Sequence, residues 1–270
     1  MNYQETSPSR RLAGYVKCFW SLEFHGVEAG EPEPVVPDGC IEIVFNLADR
    51  FRRFHEQGEV EIQPASLIAG QMRQSILIGP SGDVRLFGVR FQPAGAYAFF
   101  RFDMSELANR IEPLNAVWSS VAEIEDRLVV APDFATRVAI IEAELTLRLR
   151  ENSLHDILLR RAVENVSLRS GTRPVAALAK DIGISERGLE RRFKRSVGVS
   201  PKMFSRIVRF QSVLRSLESA ATPDILDAAA DFGYYDQSHL INDFRQFAGV
   251  SPAVFFERSR QLTEIFIASE

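Results

Sequence analysis

The chain has 270 residues, of which 46% are hydrophobic and 25% charged. That fits about two soluble globular domains and excludes wholesale disorder, a collagen repeat and a small disulfide scaffold. The formal net charge of -4 argues mildly, taken whole, against a nucleic-acid partner, since such proteins are usually basic.

The N-terminal stretch Met1–Arg11 is polar and carries no apolar leader segment, and no run reaches the ~18 apolar residues that span a bilayer. The expectation is a cytoplasmic protein with no membrane partner. The first ~100 residues read as β-rich. Short β-branched or aromatic runs at Val16–Trp20, Ile41–Phe45, Ser66–Ala69, Ile76–Ile78 and Val84–Phe91 alternate with turn signals at Pro37-Asp38-Gly39, Gly79-Pro80 and Ser81-Gly82-Asp83. Strands at this spacing suggest a small barrel or sandwich. Pro93-Ala94-Gly95 closes the β region, Ala96–Phe100 opens a helix, and Ser105 heads a helical stretch at Glu106–Arg110. Over Phe134–Arg150, Val138, Ile141, Leu145 and Leu149 share one helical face. That helix either packs on a second copy of the chain or covers its own domain. The expected organisation is a β-rich domain over 1–105, a helical linker or dimerisation segment over 106–154, and an all-helical domain over 155–262.

Resolving the charge along the chain changes its meaning. Met1–Leu154 carries 15 Lys and Arg against 22 Asp and Glu, a net -7; His155–Leu262 carries 17 against 12, a net +5; Glu264 and Glu270 supply the remaining -2. An acidic front half and a basic back half is the asymmetry expected where one domain meets an anionic polymer.

The back half contains an internal repeat. Leu189-Glu-Arg-Arg-Phe193 precedes Gly198-Val-Ser-Pro201, and Leu240-Ile-Asn-Asp-Phe244 precedes Gly249-Val-Ser-Pro252, every landmark displaced by 51. Gly183 and Gly233 are displaced by 50, so the second copy has one extra residue between its turn glycine and its second helix. Each copy, over 173–195 and 223–245, reads as helix, tight turn, helix. In the first, Pro174 suits the first helical position, Val175, Leu178 and Ala179 form the apolar stripe, Gly183 turns the chain, and Ser185 caps the next helix. Leu189 and Phe193 face inward, which leaves Arg187, Glu190, Arg191 and Lys194 on one exposed stripe. In the second, Thr222 caps, Pro223 starts, Ile225, Ala228 and Ala229 pack, and Asp236 caps the helix whose Leu240 and Phe244 point inward. Gln237, Ser238, His239, Ile241 and Asn242 are the outer-face candidates. Pro201–Leu217 forms a connecting helix offering Phe204, Val208 and Leu214 to both units. Two such units can place their second helices in successive major grooves of double-stranded DNA, about 34 Å apart. Arginine then reads guanine and glutamine reads adenine by paired hydrogen bonds. Helix-turn-helix pairs also occur in protein-interaction or enzymatic modules, where such a repeat is incidental to function.

Over about 155–258 the sequence resembles the AraC/XylS family of bacterial transcription regulators. The matching hallmarks are Ile184-Ser-Glu-Arg-Gly-Leu-Glu-Arg-Arg-Phe-Lys-Arg195, Asp231-Phe-Gly-Tyr234, Asp236-Gln-Ser-His-Leu240 and the two Gly-Val-Ser-Pro stretches. The resemblance puts Arg187, Glu190 and Arg191 at the base-reading positions of the first unit. It puts Gln237, Ser238 and Asn242 at those of the second, with His239 near the phosphates. The family commonly has a basic residue where Asn242 stands and a neutral one at Asp243. From Glu186 to Arg195 five residues are basic and two acidic, whereas Gln237–Gln246 has one of each. The first unit is therefore expected to carry most of the electrostatic affinity, and the second to read weakly with an acidic residue on its flank.

The front half resembles a sensor domain found ahead of this module in a subset of the family. The likeness rests on Val16-Lys-Cys-Phe-Trp20, Val36–Phe45, Gly70-Gln71, Phe87–Pro93 and Met104-Ser-Glu-Leu107. It implies a cupin-like barrel that binds a small effector and dimerises. RNA polymerase is a further partner if the protein activates. The expected fold class is thus α+β multidomain, a cupin-like barrel with helices followed by a double helix-turn-helix.

No cofactor, metal or enzymatic activity is expected. His25 and His55 stand thirty residues apart with no HxH, Cys18 and Cys40 do not make a zinc cluster, and no hydrolase elbow, Walker loop or dinucleotide fingerprint is present. A buried strand position is the expected state of Cys40, with a redox role the alternative. An apolar pocket with a few polar groups is the default sensor site. Trp20, Phe45, Phe87 and Phe91 are candidates to line it, and Asp38, Glu42 and Arg90 to supply polar contacts, although aromatic core packing and ordinary Pro-Asp-Gly turn chemistry account for the same residues.

Overall fold

The computed structural model describes residues 1–25, 32–55, 57–100, 102–149, 157–219 and 225–257. The five apolar runs of the front half form strands, as their composition requires. They are β2 (Val16–Phe24), β4 (Glu42–Asn46), β7 (Ser66–Ala69), β8 (Ile76–Gly79) and β9 (Val84–Phe91). Five short strands accompany them: β1 (Asn2–Thr6), β3 (Glu33–Val35), β5 (Arg52–Phe54), β6 (Val60–Ile62) and β10 (Ile111–Pro113). Most of these are polar or lie at sheet edges, and pairing to a neighbour, not side-chain pattern, makes them strands.

Two antiparallel sheets result, one ordered β1-β2-β9-β4-β7-β10 and one ordered β3-β8-β5-β6. Neither closes on itself, so the expected cupin-like barrel is replaced by two open sheets packed face to face. Strand alternation buries both faces of the larger sheet. Cys18, Trp20, Leu22, Val84 and Leu86 point toward the smaller sheet and cluster with Phe51 and Ile78. Phe19, Ile43, Phe45, Phe87, Val89 and Phe91 point the other way. There they meet the helices α1 (Val121–Val130) and α2 (Phe134–Arg148) through Ile124, Leu128, Ile141 and Leu145. The helices after residue 106 therefore share one core with the strands.

Among the described residues of this half there are also three short 3-10 turns: η1 (Ala96–Ala98), η2 (Met104–Leu107) and η3 (Leu114–Ala116). The cap of η2 is Asp103, whose carboxylate accepts the Ser105 N–H at 2.9 Å; the turn thus begins two residues ahead of the expected Ser105 start. Asp133 caps α2 by accepting from the Thr136 N–H at 2.8 Å.

The helical half contains α3 (Ile157–Leu168), α4 (Val175–Asp181), α5 (Glu186–Val197), α6 (Pro201–Ser219), α7 (Ile225–Asp231), α8 (Gln237–Ala248) and α9 (Pro252–Glu257). The expected junction at residues 150–156 and the Thr222-Pro223 helix start lie outside the described residues. Helix α6 is buried on nearly every side, the pattern of a helix at the centre of a domain. One flank, at Phe204, meets Leu178, Leu189 and Phe193 of the first unit. The other, at Ile207, Phe210 and Leu214, meets Ala228, Leu240 and Phe244 of the second.

Candidate nucleic-acid interface

Both helix-turn-helix units form as the repeat requires. Gly183 and Gly233 hold φ of +75° and +67°, the left-handed conformation that lets the second helix leave at a steep angle. Ser185 Oγ accepts from the Gly188 N–H at 3.1 Å and so caps α5; Asp236 accepts from the His239 N–H at 2.8 Å and caps α8. Pro174 takes the cap position of α4, one residue ahead of the first helical position. The extra residue of the second copy extends its turn, with α8 starting four residues after its glycine where α5 starts three after its own.

Burial then sorts the residues of each second helix. On α5, Leu189, Phe193 and Val197 are buried, while Arg187, Glu190, Arg191 and Lys194 are exposed. Lys194 Nζ lies 3.1 Å from Glu190 Oε1, one turn earlier. On α8, Leu240, Phe244 and Phe247 are buried; Gln237, Ser238 and Asn242 are exposed, and His239 is half-buried with its ring edge-on to Tyr234. Seven of the eight candidates thus occupy the outward faces of two helices held by one connecting helix, and His239 lies at the edge against Tyr234.

Asp243 departs from its expected place. It is 1% exposed and points into the domain. It accepts from Arg206 Nη2 at 2.5 Å, from Arg206 Nε at 3.2 Å and from the Tyr234 hydroxyl at 3.1 Å. Burial first, and the Asp243 charge second, push the Tyr234 phenol up from its ordinary range, so Tyr234 stays a donor. The acidic residue assigned to the flank of the second recognition helix is therefore a neutralised structural anchor. Its position, one residue before inward-facing Phe244 and three after Leu240, turns it inward with them.

The front-half candidates also separate. Trp20 sits on the face turned toward the smaller sheet, close over Gly88. Phe45, Phe87 and Phe91 occupy the opposite face, so the four rings do not line one space. Phe45–Phe87 and Phe91–Phe99 ring centroids lie 6.3 and 5.5 Å apart, within a packed aromatic core. Glu42 and Arg90 are directly opposite across β4 and β9. Arg90, fully buried, places Nε 2.5 Å from Glu42 and 3.5 Å from Asp38. Burial pushes the Glu42 carboxyl up, opposed by the Arg90 charge. Asp38 also accepts the Cys40 N–H at 2.9 Å, which makes the tight Pro-Asp-Gly turn. Both cysteines are free and buried; desolvation pushes the Cys18 thiol up to about 12 and raises Cys40 as well, the opposite of a poised redox thiol. No cluster of three metal-ligating side chains exists among the described residues.

What those candidates do is brace an interdomain contact that sequence patterns did not reveal. The turn they anchor inserts against α6. Gln211 Nε2 of α6 donates to the Pro37 carbonyl at 2.6 Å, and Gln71 donates to the Gly39 carbonyl. Val36 joins the core of the second helix-turn-helix unit. Gly39 has φ +83°, and a Cβ there would sit 3.1 Å from the Phe204 ring. The Arg195 guanidinium, at the end of α5, lies 5.3 Å from the Tyr97 ring centroid. Gln211 shares the helical spacing of Phe204, Ile207 and Leu214, and a polar residue on that apolar stripe was the available signal.

A family model described as a domain of unknown function (DUF6597) matches residues 4–113, and one described as a helix-turn-helix domain matches residues 178–258. The probable thc operon regulatory protein of Rhodococcus erythropolis is 30% identical over 81 residues, 29% of this chain; this chain spans 24% of that relative's length. Among solved structures, ToxT from Vibrio cholerae aligns over 95% of this chain and 98% of its own at 9% identity and a TM-score of 0.47. ToxT from strain SCE256 of Vibrio cholerae, with unsaturated fatty acid bound, aligns over 87% and 92% at 13% identity and a TM-score of 0.42. No helix among the described residues is long and apolar enough to cross a membrane.

Proposed function

We propose that this chain is an AraC-family, cytoplasmic, sequence-specific DNA-binding transcription regulator without enzymatic activity, whose N-terminal domain answers to a small-molecule effector; the helix-turn-helix family model over residues 178–258 supports the family. The observation that carries the reading is the pair of capped second helices on one central helix. Each buries the same Leu and Phe positions and leaves polar residues outward, on a domain of net charge +5. Arg187, Glu190 and Arg191 read bases from α5; Gln237, Ser238 and Asn242 read them from α8; Lys194 and His239 meet phosphates. Effector binding shifts the population between arrangements of the two domains. The Pro37–Gly39 turn seated on α6 is the contact through which that shift passes. A homodimer belongs to the reading, but not through the α2 face of Val138, Ile141, Leu145 and Leu149, which covers the chain's own core. As an activator the protein would also meet RNA polymerase.

The test is fluorescence anisotropy on duplexes chosen by in vitro selection. The expected result is a steep fall in affinity with rising salt, log K against log[salt] declining by about 0.9 per phosphate contact. Arg187→Ala and Arg191→Ala are each expected to weaken the selected site by ~1–3 kcal/mol and to relax preference at particular base pairs. A flat salt response would indicate a protein-interaction module with an incidental repeat.

A further inference from the structure

The N-terminal domain meets the first helix-turn-helix unit along a second line, and a cleft of about 540 Å³ opens there. Its walls come from both domains: η2 and the segments around Arg73 and Arg110 on one side, the end of α5 and the start of α6 on the other. Arg73, Arg110 and Lys194 line it together with one carboxylate, Glu106, while Glu190 and Glu112, outside the lining, stand 3.1 Å from Lys194 and 3.8 Å from Arg110. The Ser200 hydroxyl adds a donor, whereas that of Ser105 is given to Asp103 Oδ1 at 2.6 Å. Ser200 Oγ accepts the Met203 N–H at 3.2 Å, which leaves its own proton to give. The N-terminus of the 19-residue α6 adds its partial positive charge. The Arg110 side chain is 66% exposed and only loosely paired with Glu112 at 3.8 Å. Ligand sites of ~300–1,000 Å³ occur preferentially where two domains meet.

We propose that this interdomain cleft binds a small organic dianion carrying carboxylate or phosphate groups, and that it is the effector site. The proposal rests on the reading of the chain as an effector-responsive DNA-binding regulator, and it names the class of effector. Arg73 and Arg110 hold one acidic group from the N-terminal side, and Lys194 with the α6 N-terminus holds the other. Lys194 also ends the exposed stripe of α5. A bound dianion therefore withdraws one cation from the DNA-facing helix and adds negative charge beside it. Duplex and dianion oppose each other, each weakening the other by the same factor.

The experiment uses the full chain with pyrophosphate and malate as probes, ionic strength being held constant with sodium chloride. Calorimetry measures direct binding, and anisotropy measures duplex affinity at each probe concentration. Saturable one-to-one binding of at least one probe is expected, weakened at least tenfold in Arg73→Gln/Arg110→Gln. Which probe binds separates phosphate from carboxylate recognition. The bound probe is expected to weaken duplex binding at least fivefold in the wild type and not in the variant, whose duplex affinity without probe stays within threefold of wild type. Binding of neither probe, or binding that ignores the two arginines, overturns the proposal. So does a variant that loses duplex affinity with no probe present, since its arginines are then DNA contacts. If the wild type binds no duplex while arginine-dependent probe binding persists, the DNA reading fails and the anion site stands.

Discussion

Replacing Asp243 distinguishes a buried anchor from a charge that faces DNA. Its carboxylate accepts two hydrogen bonds from Arg206 and one from Tyr234 while 1% exposed. Hydrogen bonds to charged groups contribute ~1.5–3 kcal/mol each, and removing one partner of a buried pair costs ~3–5 kcal/mol. Arg206 is 26% exposed, and it keeps its bond to Gln246 at 2.7 Å and its seat over the Phe247 ring. Part of its charge therefore rehydrates. Asp243→Ala is expected to destabilise the helical domain by about 3 kcal/mol, at the low end of the buried-pair range. Asp243→Asn keeps one carbonyl acceptor and is expected to cost about 1–2 kcal/mol. The assay is urea unfolding followed by circular dichroism at 222 nm. The two tryptophans, Trp20 and Trp118, both lie in the N-terminal domain, so their fluorescence reports the wrong half. A variant Asp243→Asn whose helical transition does not move, and which binds duplex more tightly than wild type, would refute the anchoring role.

Three further outcomes follow from the same geometry. Gly39→Ala puts a Cβ into a left-handed backbone and 3.1 Å from the Phe204 ring; a loss of ~1–2 kcal/mol is expected, read as a lower melting temperature, and an unchanged melt would show that the turn is not seated on α6. Because burial lifts the Cys18 thiol to about 12, its thiolate fraction at pH 8 is ~10⁻⁴. Ellman's reagent should therefore label neither cysteine in the folded protein and both in urea, whereas fast labelling of the folded chain contradicts the burial. Asn242 is exposed on α8 with Asp243 already neutralised by Arg206, so Asn242→Arg should strengthen non-specific duplex binding several-fold and steepen the salt slope by about one contact; a neutral result in anisotropy would place Asn242 away from the phosphates.

The two halves of the chain were legible to different degrees, and the reason is the range of the interactions that build them. A helix-turn-helix unit is specified locally. Ser185 and Asp236 cap, Gly183 and Gly233 turn, and Leu189 with Phe193 or Leu240 with Phe244 set the buried face, all within about 25 residues of sequence. The repeat at 51 residues then carried both recognition helices to their outward stripes. In the front half the five apolar strands were readable from composition, but β1, β5 and β6 were not, because polar residues become strands only when a neighbour pairs with them. The ligand candidates grouped Trp20 with Phe45, Phe87 and Phe91, and strand alternation put them on opposite faces.

Charge shows the same division. The net -4 of the whole chain pointed away from DNA, and its resolution into a basic C-terminal domain needed only the order of the residues. Sequence order also marked the second half as a helix-turn-helix region, which a family model matches over residues 178–258. Which charges act was decided by the tertiary structure alone. Asp243 is spent on Arg206, Arg90 is buried between Glu42 and Asp38, Arg195 lies against Tyr97, and Lys194 is shared between the reading stripe and the interdomain cleft. Counting charges along a chain gives a domain its sign, because long-range fields sum. Which of those charges reaches a ligand depends on contacts between residues 37 to 174 positions apart, and no local pattern encodes them.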